Sequence, residues 1–310
     1  MSAYRICVPS ATKRLKRSLG AVLIGQEVVV ENLIATAFAG GHALLEGVPG
    51  LGKTLLAQSF ARAASLEYKR IQFTPDLMPA DVTGTQVIDT SSGQLQYRHQ
   101  RGPVFTQLLL ADEINRATPK TQSALLEAMQ EGAVTTAGER SELPQPFIVI
   151  ATQNPLEMEG TYPLPEAQLD RFLAKITVER PTPETLKRIL EAGAVQPANA
   201  ALEAGELLEL RRITAGVPVS QPMLDYIVAL VEATHFDKRV RYGLSPRGAQ
   251  ALLNLARAFA LLGARAFVSR EDVLRALPLA ATHRVIMGFE AELEGVQVAD
   301  VLKGVLERVK

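Results

Sequence analysis

Residues Gly47-Val48-Pro49-Gly50-Leu51-Gly52-Lys53-Thr54 match the pattern G-x-x-x-x-G-K-[ST] in full, which predicts a phosphate-binding loop between a strand and a helix. Glycines in such a loop let backbone N–H groups turn towards a phosphate, where a Cβ would collide. Lys53 is predicted to reach the β- and γ-phosphates, and the Thr54 hydroxyl is predicted to ligate Mg²⁺. A predicted strand at 43–46 precedes the loop and a predicted helix at 55–64 follows it. The N-terminal end of that helix, which carries a partial positive charge, would therefore lie at the anion site. We therefore expect a binding site for ATP and Mg²⁺.

Two acids follow a second predicted strand. The apolar run Leu108-Leu109-Leu110-Ala111 leads directly into Asp112 and Glu113. An aspartate at the carboxyl end of such a strand can hold the metal ion through a water molecule. Glu113 stands one residue further along and can orient and polarise an attacking water. The second acid therefore predicts hydrolysis of the nucleotide rather than binding alone.

Three more polar residues are candidates for the same site. Asn154 follows a predicted strand in Thr152-Gln153-Asn154-Pro155, and ligands of open α/β sheets bind at the carboxyl ends of strands. Asn154 could hydrogen-bond the γ-phosphate or the lytic water, although Asn-Pro is also ordinary turn chemistry. By their chemistry alone, Arg171 and Arg247 would be salt-bridge residues. Only their positions in the chain relative to the other motifs suggest a role in the site.

The composition of the chain limits the classes of function that are possible. At roughly 150 residues per domain, 310 residues suggest two domains. Lys plus Arg equals Asp plus Glu at 33 each, whereas dedicated nucleic-acid binders usually have a basic excess. Cys7 is the single cysteine, which excludes an internal disulfide and a cysteine-based zinc site. The four histidines are scattered, and no apolar run has the length of a membrane span or signal peptide. We therefore expect a soluble cytoplasmic protein without a membrane partner.

The first 180 residues alternate between predicted strands and predicted helices, which is the pattern of an α/β domain with right-handed crossovers. The predicted strands are at 43–46, 69–73, 107–111, 147–152 and 175–179. Continuous apolar runs are typical of strands that are buried on both faces of a parallel sheet. Two β-hairpins interrupt the alternation, at about 84–98 with a turn at Thr90-Ser91-Ser92-Gly93 and at 133–146 with a tip near Gly138-Glu139-Arg140.

A second, all-helical domain is predicted at 181–310. Prolines at positions 181 and 183 forbid a continuous helix at the boundary. Helical patterns follow near 184–194, 204–215, 221–236, 246–262, 270–281 and 290–309. Ser269, with Glu271 and Asp272 after it, is a good N-cap with acids in the first turn.

The order of these elements resembles the AAA+ ATPases, and within them the MoxR family, over nearly the whole chain. The most specific matches are Asp112-Glu113-Ile114-Asn115-Arg116-Ala117, Ala151-Thr152-Gln153-Asn154-Pro155 and Glu166-Ala167-Gln168-Leu169-Asp170-Arg171-Phe172. The resemblance implies a P-loop NTPase core of the AAA+ type with a parallel five-stranded sheet, followed by a small all-α lid domain.

The resemblance also implies roles for single residues. Asn154 corresponds to sensor 1, Arg171 to the arginine finger that completes a neighbouring subunit's site, and Arg247 to sensor 2 on the lid. Segment 22–26 would line the adenine pocket, and the hairpins would face the pore of a hexameric ring. The resemblance implies these nucleotide-binding residues: Ile24, Gly25, Gly47, Pro49, Gly50, Leu51, Gly52, Lys53, Thr54, Leu55 and Arg247. The implied Mg²⁺ ligands are Thr54 and Asp112. The implied catalytic residues are Lys53, Glu113, Asn154, Arg171 and Arg247.

The family resemblance favours a chaperone-like ATPase that remodels or activates a partner, often a protein with a von Willebrand factor A domain. A nucleic-acid translocase would need basic hairpins, and these hairpins offer only Arg98 with Arg101 nearby, and Arg140. The ATPase subunit of a metal chelatase and a slow nucleotide-gated scaffold are two further functions that these motifs would fit. Whether Arg247 acts on its own chain's nucleotide or on a neighbour's stays open at this point.

Overall fold

A computed structural model describes residues 7–89, 96–136, 138–155, 160–193 and 196–309. The strands are β1 (Ala43–Glu46), β2 (Tyr68–Gln72), β3 (Gly84–Asp89), β4 (Gln96–Arg101), β5 (Leu108–Asp112), β6 (Ala133–Thr136), β7 (Glu139–Glu142), β8 (Ile148–Gln153), β9 (Ala174–Thr177), β10 (Val240–Tyr242) and β11 (Ile286–Met287). The helices are α1 (Val8–Gly20), α2 (Glu27–Phe38), α3 (Lys53–Ala63), α4 (Pro79–Thr83), α5 (Pro119–Glu131), α6 (Glu166–Leu169), α7 (Pro183–Ala192), α8 (Ala204–Ala215), α9 (Gln221–His235), α10 (Pro246–Leu262), α11 (Arg270–Ala281), α12 (Phe289–Leu293) and α13 (Val298–Arg308).

The five predicted strands form one parallel sheet in the order β2-β5-β8-β1-β9, which confirms the predicted fold class. Alternate residues of β5 enter two different cores. Leu108 and Leu110 pack in the core shared with the helical region, whereas Leu109 and Ala111 pack on the opposite face. Side chains of a strand point alternately to the two faces, so burial on both faces explains the unbroken apolar run.

Parallel strands give the sheet two chemically different ends. Residues that follow the strands gather at what we call the carboxyl rim, and residues that precede them gather at the amino rim. Strand β1 has four residues, so at about 3.3 Å per residue the two rims are roughly 13 Å apart along it. The rim on which a side chain lies therefore decides which groups it can reach.

Both predicted hairpins are antiparallel strand pairs, with small differences from prediction. Strand β3 pairs with β4 from Gly84 and Arg101 onwards, and its predicted turn at 90–93 lies outside the described residues. Strand β6 pairs with β7 so that Thr136 faces Glu139. Glu139 and Arg140 therefore belong to the strand and not to the tip, and the hairpin ends at Glu142 rather than at 146. Gly138, with φ 86°, has the left-handed backbone that a tight hairpin connection requires.

Among the described residues after 181, all elements are helices except one short antiparallel ribbon, β10 with β11, that the sequence did not predict. The predicted helix at 290–309 is also two helices, α12 and α13. Gly295 adopts φ 73° between them, a backbone that ends a helix. Helix α2 packs against β9, α8 and α10, so the helical region is anchored to one face of the sheet. Within the described ranges, no helix is long and apolar enough to cross a membrane.

Candidate functional site

The phosphate-binding loop has the backbone that its glycines predict. Gly50 and Gly52 both have φ 81°, and Gly52 is the N-cap of α3. Gly47 is required for a different reason, because a Cβ there would lie 2.7 Å from the carbonyl oxygen of Val178. Two glycines thus supply left-handed turns and the third allows close packing. The loop therefore fits a phosphate, which backbone N–H groups and a helix N-terminus bind well.

The functional side chains of the loop lie in the first turn of α3. Lys53, Thr54 and Leu55 are all partly exposed, and Pro49 and Gly50 before them are exposed. The Lys53 ammonium contacts the carbonyl oxygen of Gly47. It also lies 3.3 Å from the carbonyl oxygen of Val48. The positive charge is therefore held directly over the loop.

The predicted adenine segment is attached to this loop. Gln26 Nε2 donates a hydrogen bond of 2.8 Å to the carbonyl oxygen of Leu51. Gly25, with φ 73°, leaves space for Thr185 of α7, which any Cβ at position 25 would strike. Ile24 is partly exposed beside them. The structure therefore brings segment 22–26, the phosphate loop and the first turn of α7 together.

The acidic pair lies at the carboxyl rim of β5 and is linked by one threonine. The Asp112 carboxylate accepts hydrogen bonds from Arg70 Nη2 at 2.7 Å and from Thr152 Oγ1 at 2.6 Å. Thr152 Oγ1 also accepts the backbone N–H of Glu113 at 2.9 Å. The residue after β5 is thereby fixed relative to the end of β8.

Glu113 has a left-handed backbone, with φ 56° and ψ 50°. Such a conformation costs a non-glycine residue about 1–3 kcal/mol and is concentrated at active sites. Its carboxylate accepts hydrogen bonds from Gln72 Nε2 at 2.7 Å and from Arg116 Nη1 at 3.0 Å. Arg70, Gln72, Thr152 and Arg116 were not predicted as site residues from the sequence. Gln72 and Thr152 lie at the carboxyl ends of strands, which is the signal that had singled out Asn154.

Asn154 is buried beside the phosphate loop. The register pairs Glu46 with Gln153, and the Gly47 N–H donates to the Gln153 carbonyl at 3.3 Å. Gly47 and Asn154 are the next residues on two neighbouring strands, so they lie side by side. The carboxyl rim thus assembles the loop, the acidic pair and Asn154.

The donor chemistry of this rim suits Mg²⁺. Thr54 and Asp112 offer a hydroxyl and a carboxylate, which are hard oxygen ligands. Over the described part of the chain, no group of three or more His, Cys, Asp or Glu residues could hold a metal ion. Mg²⁺ does not need one, because it typically uses one or two carboxylates together with substrate phosphates.

Arg171 and Arg247 lie on the other rim. Arg171 precedes β9, and its Nη1 donates to the Leu126 carbonyl in α5 at 2.7 Å. Arg247 Nη1 lies 3.6 Å from Asp170 Oδ2. Both arginines line one cavity of about 300 Å³ with residues 40–42, which precede β1. The structure therefore groups Arg171 with Arg247 at the amino rim, whereas the phosphate loop lies at the carboxyl rim.

Two histidines, the half-buried His42 and the buried His283, support the amino rim as neutral imidazoles. His42 Nδ1 accepts the Val149 N–H at 2.9 Å and Nε2 donates to the Met129 carbonyl at 3.2 Å. Burial lowers the pKa of His42 to about 4. His283 Nε2 donates to the Phe172 carbonyl at 2.9 Å, and burial, with the Arg284 charge next to it, lowers its pKa to about 3. Neither ring adds positive charge beside the arginines at neutral pH.

Comparison with known proteins agrees with this architecture. Residues 42–174 match the family of ATPases associated with various cellular activities (AAA), and residues 232–305 match the AAA lid domain. The chain resembles the solved structure of a candidate ATPase from Cytophaga hutchinsonii with a TM-score of 0.89, at 37% identity, over 98% of this chain and 95% of that one.

Curated relatives are similar along most of their length. Chaperone MoxR1 of Mycobacterium tuberculosis is 42% identical over 93% of this chain and 79% of its own. Protein MoxR of Methylorubrum extorquens is 31% identical over 96% of this chain and 94% of its own. YeaC of Bacillus subtilis, an uncharacterised protein, is 41% identical over 93% and 91%. The chain therefore belongs to the MoxR family of AAA+ ATPases, and it is a nucleotide-binding ATPase.

Proposed function

We propose that this chain hydrolyses Mg·ATP at sites shared between neighbouring copies in a hexameric ring, and that it uses the hydrolysis to remodel or activate a partner protein. One observation carries the shared site. The phosphate loop and the arginines lie on opposite rims of the same sheet, roughly 13 Å apart along β1. A chain cannot bring both sets of groups to one bound nucleotide without a large rearrangement.

In this proposal the carboxyl rim receives the nucleotide. Lys53 and the loop N–H groups would bind the β- and γ-phosphates, and Thr54 and Asp112 would hold Mg²⁺, which would neutralise part of the phosphate charge. Glu113 takes a proton from the attacking water, and Asn154 orients that water. The left-handed backbone of Glu113 supports this role, because strain of that kind persists where the surrounding structure over-determines it.

The amino rim of the neighbouring copy supplies Arg171 and Arg247 in the same proposal. Their guanidinium groups stabilise the charge that develops on the γ-phosphoryl group. Contact between the carboxyl rim of one copy and the amino rim of the next is head-to-tail, and such an interface forms a ring when its rotation closes. Six copies are proposed from the family resemblance.

Remodelling of a partner protein is supported by the hairpins and by the relatives. Thr136 Oγ1 in β6 and His99 Nε2 in β4 are 3.5 Å apart, so the two hairpins adjoin. Ile88 in β3 is 57% exposed and offers an apolar contact to a polypeptide. Arg140 in β7 pairs with Glu142 at 3.0 Å, which reduces the charge available to a nucleic-acid backbone. A relative is named as a chaperone, and we propose a partner with a von Willebrand factor A domain.

The shared site is tested by Mg·ATP turnover per subunit as a function of protein concentration, for the wild type and Arg171→Ala. We expect wild-type turnover to rise with concentration as rings form. Arg171→Ala should bind ATP but lose roughly 10³- to 10⁵-fold in kcat, the usual contribution of an arginine finger. The control is Arg212→Ala, because Arg212 is exposed and pairs with Glu209. A concentration-independent wild-type rate that Arg171→Ala retains would refute the shared site.

A further inference from the structure

One buried side chain, Arg284, ties the amino rim to the helical region. Arg284 lies three residues after α11, and its side chain is 3% exposed. Its Nε donates to Asp170 Oδ1 at 2.6 Å, and its Nη2 donates to the carbonyl oxygens of Asp170 at 3.1 Å and Phe172 at 2.6 Å. Its Nη1 donates to the Leu173 carbonyl at 3.2 Å. One guanidinium therefore binds the segment 170–173 at four acceptors, on both sides of Arg171.

The carboxylate of Asp170 is shared between two arginines. Oδ1 accepts from Arg284, and Oδ2 lies 3.6 Å from Arg247 Nη1. Gly248, the next residue in α10, permits this arrangement, because a Cβ there would lie 3.1 Å from Arg284 Cδ. The start of α10, the end of α11 and the segment before β9 thus meet at one carboxylate.

An ion pair between a buried arginine and a partly exposed aspartate is poorly explained by stability alone. Replacing such a pair with well-packed apolar residues is often neutral or stabilising, whereas removing one partner leaves an uncompensated charge. The planar guanidinium has five donors in a rigid fork, and here it binds three backbone carbonyls and one carboxylate oxygen of the segment that carries Arg171. This arrangement fixes the orientation of the segment that carries Arg171, which an apolar cluster would not do.

We propose that Arg284 is a positioning residue for the shared active site, and that through Asp170 it holds Arg171 and Arg247 as one unit presented to the neighbouring copy. This inference rests on the proposed shared site. It also means that the helical region and the arginine finger move together, since the turn after α11 carries the residue that binds segment 170–173.

Arg284→Met tests the proposal, because methionine is long and apolar but has no donor. A misplacement of about 1 Å can cost roughly 10²-fold in rate. We therefore expect kcat to fall about 10²-fold, while the ATP affinity and the assembly of the variant stay within about twofold of wild type. Arg284→Lys should recover part of the rate, because it keeps the charge but not the fork.

Mixed rings separate positioning from folding. Arg284→Met has an intact carboxyl rim, and Glu113→Gln has an intact amino rim. In a head-to-tail ring that assembles at random from a 1:1 mixture, about a quarter of the interfaces combine an intact carboxyl rim with an intact amino rim. Those interfaces should regain activity. Arg284→Met mixed with Arg171→Ala should stay inactive, because both variants damage the same rim. Recovery in the second mixture, or none in the first, would overturn the inference.

Two further arms keep the outcome interpretable. Arg171→Ala mixed with Glu113→Gln tests the shared site itself, so recovery there with none for Arg284→Met would leave the proposed function intact and refute the role of Arg284. No recovery in either mixture would refute the shared site, and the inference with it. If Arg284→Met fails to fold, Asp170→Asn replaces it in every mixture, and unchanged kcat in that variant would refute the proposal.

Discussion

The two rims of the sheet present different kinds of group. At the carboxyl rim, short contiguous motifs bring Lys53, Asp112 and Glu113 to the ends of β1 and β5, where Lys53 and Glu113 are partly exposed and Asp112 is buried. At the amino rim, Arg171, Arg247 and Arg284 come from three distant segments and meet around Asp170. The first rim is suited to receive a nucleotide. The second is suited to present rigidly held charge to another molecule.

The difference lies in how each set of contacts is made. Groups at the carboxyl rim are placed by the strand that precedes them, which is a local effect. Groups at the amino rim are placed by tertiary packing, above all by the buried Arg284. Variants that damage one rim at a time test this division.

The largest expected effect comes from the carboxyl rim. Glu113→Gln removes the proposed base but keeps the size of the side chain, so turnover should fall roughly 10²- to 10⁴-fold. ATP should still bind and accumulate without conversion. The measurement is the ratio of bound ATP to ADP after incubation, with Glu294→Gln, an exposed residue, as the control. Equal ADP formation in both variants would remove Glu113 from the mechanism.

A smaller effect is expected for Arg247→Ala at the amino rim. A hydrogen bond to a charged group contributes about 1.5–3 kcal/mol, which is about a 10- to 100-fold change in turnover. Because the residue lies beside Arg171, ATP affinity of the isolated chain should not change, and Glu113→Gln should complement the variant in mixed rings. A large loss of affinity in the dilute, unassembled chain would show instead that Arg247 acts on its own nucleotide.

The smallest effect concerns pH. His42 and His283 have folded-state pKa values of about 4 and about 3, below the ordinary value of about 6.5. The folded state therefore binds fewer protons, so the stability they contribute is full above pH 6.5 and is lost as the pH falls. At pH 5.5, each histidine should lower the free energy of unfolding by roughly 1 kcal/mol relative to neutral pH.

Urea unfolding at pH 7.5 and pH 5.5 measures this loss. His42→Asn should remove about half of the pH dependence, whatever its effect on stability at pH 7.5. An unchanged pH dependence in that variant would show that His42 is not held as a neutral ring in the folded state. The arrangement described for His42 at the amino rim would then be wrong.

The core of the fold was predictable from short windows of sequence. All five strands of the sheet were predicted within a few residues, because apolar runs such as that of β5 report burial on both faces. The ribbon of β10 and β11 was missed, because strands of three and two residues carry no periodic pattern. The break between α12 and α13 was missed because a single glycine causes it.

Short windows of sequence were enough to predict the loop, the two acids and the family, because each of these motifs is contiguous and has its own local backbone. The tertiary structure alone decided that Arg171 and Arg247 lie together on the opposite rim. That position depends on β9 lying beside β1 and on Arg284 reaching Asp170 from the turn after α11. These are contacts between residues far apart in the chain, and no local pattern encodes them.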